Sequence, residues 1–197
     1  PLDLAEAIRN LRTGTAEMLD VGTVNGRVFV NNSNLGLYPR LVYLRNAQQK
    51  RGRGKWIGFV KAALVTFRRF PFLRVRLEAG GHSIERKTPF VFIGNNEYKF
   101  EGLRIGSRQR LNDGHLCVSV AQRVGRWGVL RLVIRALLGR LTEDRDFIML
   151  STKSLWVATR KKLLPVSIDG EVVLMQAPLQ YKIHPGALRV IVPLRRP

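Results

Sequence analysis

The strongest constraint on the fold is the last quarter of the chain, where short β-forming runs succeed one another at near-regular spacing. They fall at 147–150, 155–159, 166–168, 172–175, 179–183 and 188–192. Asp169-Gly170, Ala177-Pro178 and His184-Pro185-Gly186 punctuate them as turn signals. Many short strands in series predict a β-sandwich or barrel.

The rest of the chain extends that pattern. Asn25-Gly26 sits between β-formers in Val21–Val30 and predicts a hairpin, because both residues tolerate positive φ. Residues 73–78 alternate apolar and polar with period two, Gly80-Gly81 makes a turn, and 83–86 supply a partner strand. The apolar runs 90–94 and 116–120 read as buried strands. Helices interrupt the β pattern. Leu4, Ala7, Ile8 and Leu11 have helical spacing over 3–12. One or two helices are expected over 43–69, broken near 52–54. A further helix is expected over 124–141, where Trp127, Leu130, Ile134, Leu137, Leu138 and Leu141 form one stripe. No repeat or low-complexity linker divides the chain, so residues 1–197 read as one mainly β domain with a few helices.

Charge speaks to partners. Thirty-four Lys and Arg against fourteen Asp and Glu give a net charge of +20. That balance predicts an anionic partner: nucleic acid, a phosphorylated ligand or an acidic membrane surface. Exclusions are equally useful. One cysteine, Cys117, excludes an internal disulfide framework and a cysteine zinc cluster, and fits a reduced, intracellular setting. No apolar run reaches the roughly 18–20 residues of a membrane span. The chain opens at Pro1 without a signal peptide and reads as a piece of something longer. It carries no phosphate-binding glycine loop, no HExxH and no nucleophile elbow.

Two acidic turns stand out in a chain poor in acids: Leu111-Asn112-Asp113-Gly114 and Ser167-Ile168-Asp169-Gly170-Glu171. Each can be a plain hairpin turn, since Asp-Gly favours two-residue loops. Alternatively, Asp169 and Glu171 lie two apart, so an extended stretch points both the same way. Such a pair can hold a metal or share acid–base work.

These segments together resemble the C-terminal domain of the diacylglycerol kinase-like lipid kinases, a group that includes bacterial diacylglycerol kinases and sphingosine kinases and, more distantly, NAD kinases. Val28-Phe29-Val30-Asn31-Asn32-Ser33-Asn34-Leu35-Gly36 is similar to the family's strand that ends in glycine. Phe92-Ile93-Gly94-Asn95-Asn96 resembles its V-x-N-G strand end, and Leu111-Asn112-Asp113-Gly114-His115-Leu116 its L-x-D-G-x-L loop. Ile168-Asp169-Gly170-Glu171 resembles its D-G-E turn, and 186–193 its closing strand. The matches keep the family order over nearly the whole chain.

The resemblance implies the NAD kinase/diacylglycerol kinase-like fold, with a β-sandwich-like C-terminal domain. It also implies a separate N-terminal nucleotide-binding domain that carries the ATP phosphate loop. By this likeness Glu171 matches the proton acceptor for a lipid hydroxyl, with Asp169 beside it. Asp113 matches the carboxylate of a Mg²⁺ loop to which Arg110 and His115 lend backbone carbonyls. The implied reaction moves the γ-phosphoryl of ATP to a lipid alcohol. The implied setting is cytoplasmic, peripheral at the inner face of an anionic membrane. Arginines at 123, 126, 131, 135 and 140 on the expected 124–141 helix, and Arg51, Arg53, Lys55 and Lys61 near Trp56 and Phe59, are candidate lipid contacts. The competing reading is a basic β-rich module that binds nucleic acid or membrane without catalysis.

Overall fold

The computed structural model describes residues 3–37, 39, 72–101, 104–108, 110–121, 128, 131, 138 and 147–193. The helices expected over 43–69 and 124–141 therefore lie outside the described residues, apart from isolated positions in the second.

The chain opens with helix α1 (Leu4–Thr13), whose first turn is capped by the Asp3 carboxylate accepting from the Ala5 amide at 3.0 Å. Strand β1 (Thr15–Val24) then turns at Asn25-Gly26, both with positive φ, into β2 (Arg27–Phe29). After a bend at Val30-Asn31 come β3 (Asn32–Gly36), β4 (Leu73–Ala79), β5 (His82–Thr88) and β6 (Phe90–Asn95). A two-stranded ribbon follows, β7 (Tyr98–Glu101) and β8 (Arg104–Arg108), and then β9 (Leu116–Ala121). The series ends with β10 (Phe147–Thr152), β11 (Ser154–Thr159), β12 (Leu163–Ile168), β13 (Glu171–Gln176) and the long β14 (Leu179–Val192).

The strands form two six-stranded sheets. One has the order β2-β1-β14-β11-β4-β5 and the other β10-β9-β6-β3-β12-β13. Every ladder in them is antiparallel. Their facing sides share one core. Val24, Phe29, Leu77, Leu155, Val157 and Leu179 from the first sheet join Leu35, Val91, Val118, Val120 and Val166 from the second. Period-two patterning does this work. In β4, Val75, Leu77 and Ala79 are buried while Arg74, Arg76 and Glu78 face solvent. Each fully buried aliphatic side chain contributes about 1.5–3 kcal/mol. The expected β-sandwich class is thus the observed one.

A polar pair sits inside that apolar core. The Tyr181 hydroxyl lies 3.1 Å from Ser33 Oγ, and the Tyr181 ring meets Phe29 edge-on. Burial pushes the Tyr181 phenol well above its ordinary range, so it stays neutral.

Two expectations need correction. The runs at 179–183 and 188–192 are one strand, and His184-Pro185-Gly186 is not a turn between them. The ladder to β1 shifts register there, between Leu19 and Val21. Gly186 adopts positive φ and donates its amide to Asp20 Oδ1 at 2.8 Å. A bulge absorbs the proline without ending the strand. The ribbon β7–β8 was not expected either: Tyr98-Lys99-Phe100-Glu101 alternates apolar and polar, but over four residues only.

Candidate functional site

The open edge of the sandwich lies between β2, the last strand of one sheet, and β13, the last strand of the other. Asp169 and Gly170 make the two-residue turn that joins β12 to β13, with Ile168 paired to Glu171. Both turn residues have positive φ, which is the geometry that Asp-Gly favours. Glu171 is the first residue of β13 and is exposed. With Arg27, Val28, Ile168 and Val173 it lines a shallow recess of about 270 Å³. Arg27 and Glu171 form no ion pair across it, and the Glu171 carboxylate has no hydrogen-bond partner among the described residues.

Asp169 is arranged differently, and the expectation that the two acids point the same way does not hold. Asp169 lies in the turn, not in an extended stretch. Its Oδ2 accepts the amide of Val30 at 2.8 Å, and its Oδ1 accepts those of Asn31 and Asn32 at 2.8 and 2.9 Å. In return its own amide donates to the Asn32 carbonyl at 2.9 Å. Three converging N–H groups hold one carboxylate, so the turn is pinned to the bend between β2 and β3. Asp169 is a clamp that leaves Glu171 free.

The same bend reaches the second acidic turn. The Asn95 amide donates to the Asn31 carbonyl, and Asn95 Nδ2 donates to the carbonyls of Val30 and Asp20 at 2.9 and 2.7 Å. Tyr98 contributes its hydroxyl to Asn31, at 2.8 Å to the carbonyl and 2.7 Å to Oδ1. Asp20 is buried, and its carboxylate takes the amides of Gly114 and Gly186 at 2.7 and 2.8 Å. Its own amide donates to the Leu111 carbonyl. Asn96 closes the circuit: its Oδ1 accepts the Asp113 amide at 2.9 Å, and its amide donates to the His115 carbonyl. One hydrogen-bonded network thus runs from Asp169 through Asn31, Asn95 and Asp20 to the Asp113 loop.

Sequence reasoning singled out Asp169, Glu171 and Asp113 but missed Asp20. The available signal was an acid inside an apolar β-run, Leu19-Asp20-Val21, in a chain with few acids. A buried carboxylate there must find donors.

Around Asp113 the residues offer hard oxygen donors. The carboxylate is 26% exposed, and the exposed Arg110 guanidinium stands 4.0 Å away. His115 Nδ1 lies 2.7 Å from the Asp113 carbonyl. One carboxylate with neighbouring backbone carbonyls is a donor set that suits a magnesium-class cation, which keeps several waters. The described residues hold no group of three His, Cys, Asp or Glu side chains arranged for a metal.

Known proteins match this chain and its fold. Residues 42–192 fit the model of the YegS C-terminal NAD kinase beta sandwich-like domain. The chain belongs to this family. Two curated relatives from Pseudomonas aeruginosa strains, each named "Probable lipid kinase YegS-like", are 28% identical over 201 residues. They match all of this chain, which spans 63% of their length. A solved diacylglycerol kinase from Bacillus anthracis superposes with a TM-score of 0.62 at 18% identity, covering 96% of this chain and 58% of that one. At that identity the likeness concerns the fold. The sandwich is therefore that of a YegS C-terminal domain. No described helix is long and apolar enough to cross a membrane.

Proposed function

We propose that this domain is the substrate-side half of an ATP-dependent lipid kinase, with Glu171 as the proton acceptor. The observation that carries the reading is the Glu171 carboxylate, without a partner among the described residues, at the sandwich edge next to a turn clamped by three amides. A general base must be accessible, held in place and free of competing donors. Glu171 would take the proton of a diacylglycerol-like hydroxyl as that oxygen attacks the γ-phosphorus of ATP. The bond to the bridging oxygen breaks and ADP leaves. Asp169 is a positioning residue that acts through the turn. Arg27, across the recess, carries a positive charge suited to the developing phosphate. The names of the Pseudomonas relatives support a lipid substrate.

The nucleotide loop belongs, in this reading, to a further domain. The relatives are longer than this chain, and α1 presents Leu4, Ile8 and Leu11 to solvent as an apolar stripe suited to packing against such a domain. Mg²⁺ neutralises phosphate charge when bound with ATP, and a second ion would be held by Asp113 with the carbonyls of Arg110 and His115. The excess of basic residues fits a peripheral position on the cytoplasmic, anionic face of a membrane.

The test is Glu171→Gln in the full-length protein. ATP-dependent phosphorylation of diacylglycerol should fall by about 10²–10⁴-fold, while binding to lipid vesicles stays within error of the parent. Undiminished turnover would remove Glu171 from the mechanism. Absence of any lipid phosphorylation by the parent protein, together with tight RNA binding, would favour the non-catalytic basic module.

A further inference from the structure

The outward face of the first sheet carries a feature that the kinase reading does not use. β11, β4 and β5 run side by side there, and their pairing stacks like charges. Arg74 lies directly opposite Lys87 across the β4–β5 ladder. Arg160 follows Thr159, the last residue of β11, which pairs with Val75. Three cations thus fall in one row across three strands. Like charges directly opposite one another destabilise a sheet, so the row has a cost with no return among the described residues.

The next row forms a hollow. Ala158 pairs with Arg76, and Arg76 with Glu85. The small Ala158 side chain leaves a recess of about 470 Å³ walled by Arg74, Arg76, Lys87, Arg160 and Glu85. Two of these cations are pre-set. Arg76 is held by Glu78 at 2.9 Å and by Ser83 Oγ at 3.1 Å. Lys87 Nζ sits 5.2 Å over the Phe72 ring. Among the described residues Arg74 and Arg160 have no ion-pair partner. Two free guanidiniums, flanked by cations of fixed direction, make a fork suited to a multiply charged phosphate.

We propose that this recess binds a phosphate group of more than one negative charge, a diphosphate or a phosphomonoester, at a second site remote from the Asp169–Glu171 turn. The turn belongs to the other sheet, at its β12–β13 edge, whereas the recess lies on the outside of β11, β4 and β5. The ligand relieves the repulsion along the Arg160–Arg74–Lys87 row. Glu85, the one acid among the described residues of the wall, limits the affinity. The inference does not depend on the kinase reading.

The experiment compares the full-length protein with Arg74→Ala/Arg160→Ala and with Glu85→Gln. Inorganic pyrophosphate is titrated by calorimetry. Sedimentation with phosphatidylcholine vesicles, with and without phosphatidic acid, is measured alongside. The double variant should weaken binding by about tenfold or more, and Glu85→Gln should tighten it. The double variant should also melt no lower than the parent, because it removes like-charge repulsion. A loss seen with pyrophosphate identifies a soluble phosphate ligand. A loss confined to phosphatidic acid vesicles identifies a lipid headgroup. Equal binding of both probes by parent and double variant overturns the proposal, and so does unchanged or weaker binding by Glu85→Gln.

Discussion

Asp169 Oδ1 accepts the backbone amide of Asn31 at 2.8 Å, across 138 residues of chain. This contact fastens the β12–β13 turn to the β2–β3 bend, and so sets where Glu171 stands. The Asp169 amide donates back to the Asn32 carbonyl, so the two segments are joined in both directions. A carboxylate that satisfies three backbone amides resists rotation.

Substitution at Asp169 should therefore separate into two grades. Asp169→Ala leaves three amides without their acceptor and puts a Cβ-bearing, non-polar residue at positive φ. A loss of about 1.5–3 kcal/mol is expected in urea unfolding. Asp169→Asn keeps one carbonyl oxygen and tolerates the left-handed backbone, so it should lose less than half as much. Equal losses would mean that the amide contacts contribute little.

Asp20 offers the opposite case. Its two oxygens accept the Gly114 and Gly186 amides in a buried setting. Asp20→Asn turns one acceptor into a donor facing a donor. It should destabilise almost as much as Asp20→Ala, by about 1–3 kcal/mol for each amide left unsatisfied. Hydrogen exchange at Gly114 and Gly186 should accelerate together in either variant. Acceleration at one glycine alone would show that the two loops are not coupled through Asp20.

Ser33 and Tyr181 form a closed pair in the core. Tyr181→Phe leaves Ser33 Oγ buried without its partner and should cost about 1–3 kcal/mol. Adding Ser33→Ala should restore most of that loss, since removing both partners replaces a polar pair with apolar contact. A double-mutant cycle by thermal unfolding measures the coupling. Additive losses would mean that the hydroxyls do not depend on one another.

The Asp113 loop gives a prediction free of catalysis. Millimolar Mg²⁺ should raise the melting temperature of the full-length protein, because a ligand that binds only the folded state stabilises it. Asp113→Asn should abolish the rise, and Arg110→Ala should enlarge it by removing the cation 4.0 Å from the carboxylate. A shift that survives Asp113→Asn would locate the ion elsewhere.

Much of the sandwich was legible because its causes are local. Asn25-Gly26 and Asp169-Gly170 favour positive φ on their own, so both hairpins could be read from a few residues. The alternation of Arg74, Val75, Arg76 and Leu77 separates the faces of β4 without reference to any other strand. The bulge at 184–186 was not legible. Pro185 and Gly186 look like a turn until the β1 ladder and Asp20 supply partners that continue the strand.

The sequence by itself determined the β-rich class, the Asp169-Gly170 turn and the basic balance, since each follows from short-range pattern or composition. Only the tertiary structure decided that Asp169 and Glu171 do different work. Two residues apart in the chain, they differ in which backbone amides the fold brings near them. It likewise decided that Arg160, Arg74 and Lys87 share one row, because strand order and register are settled by long-range pairing.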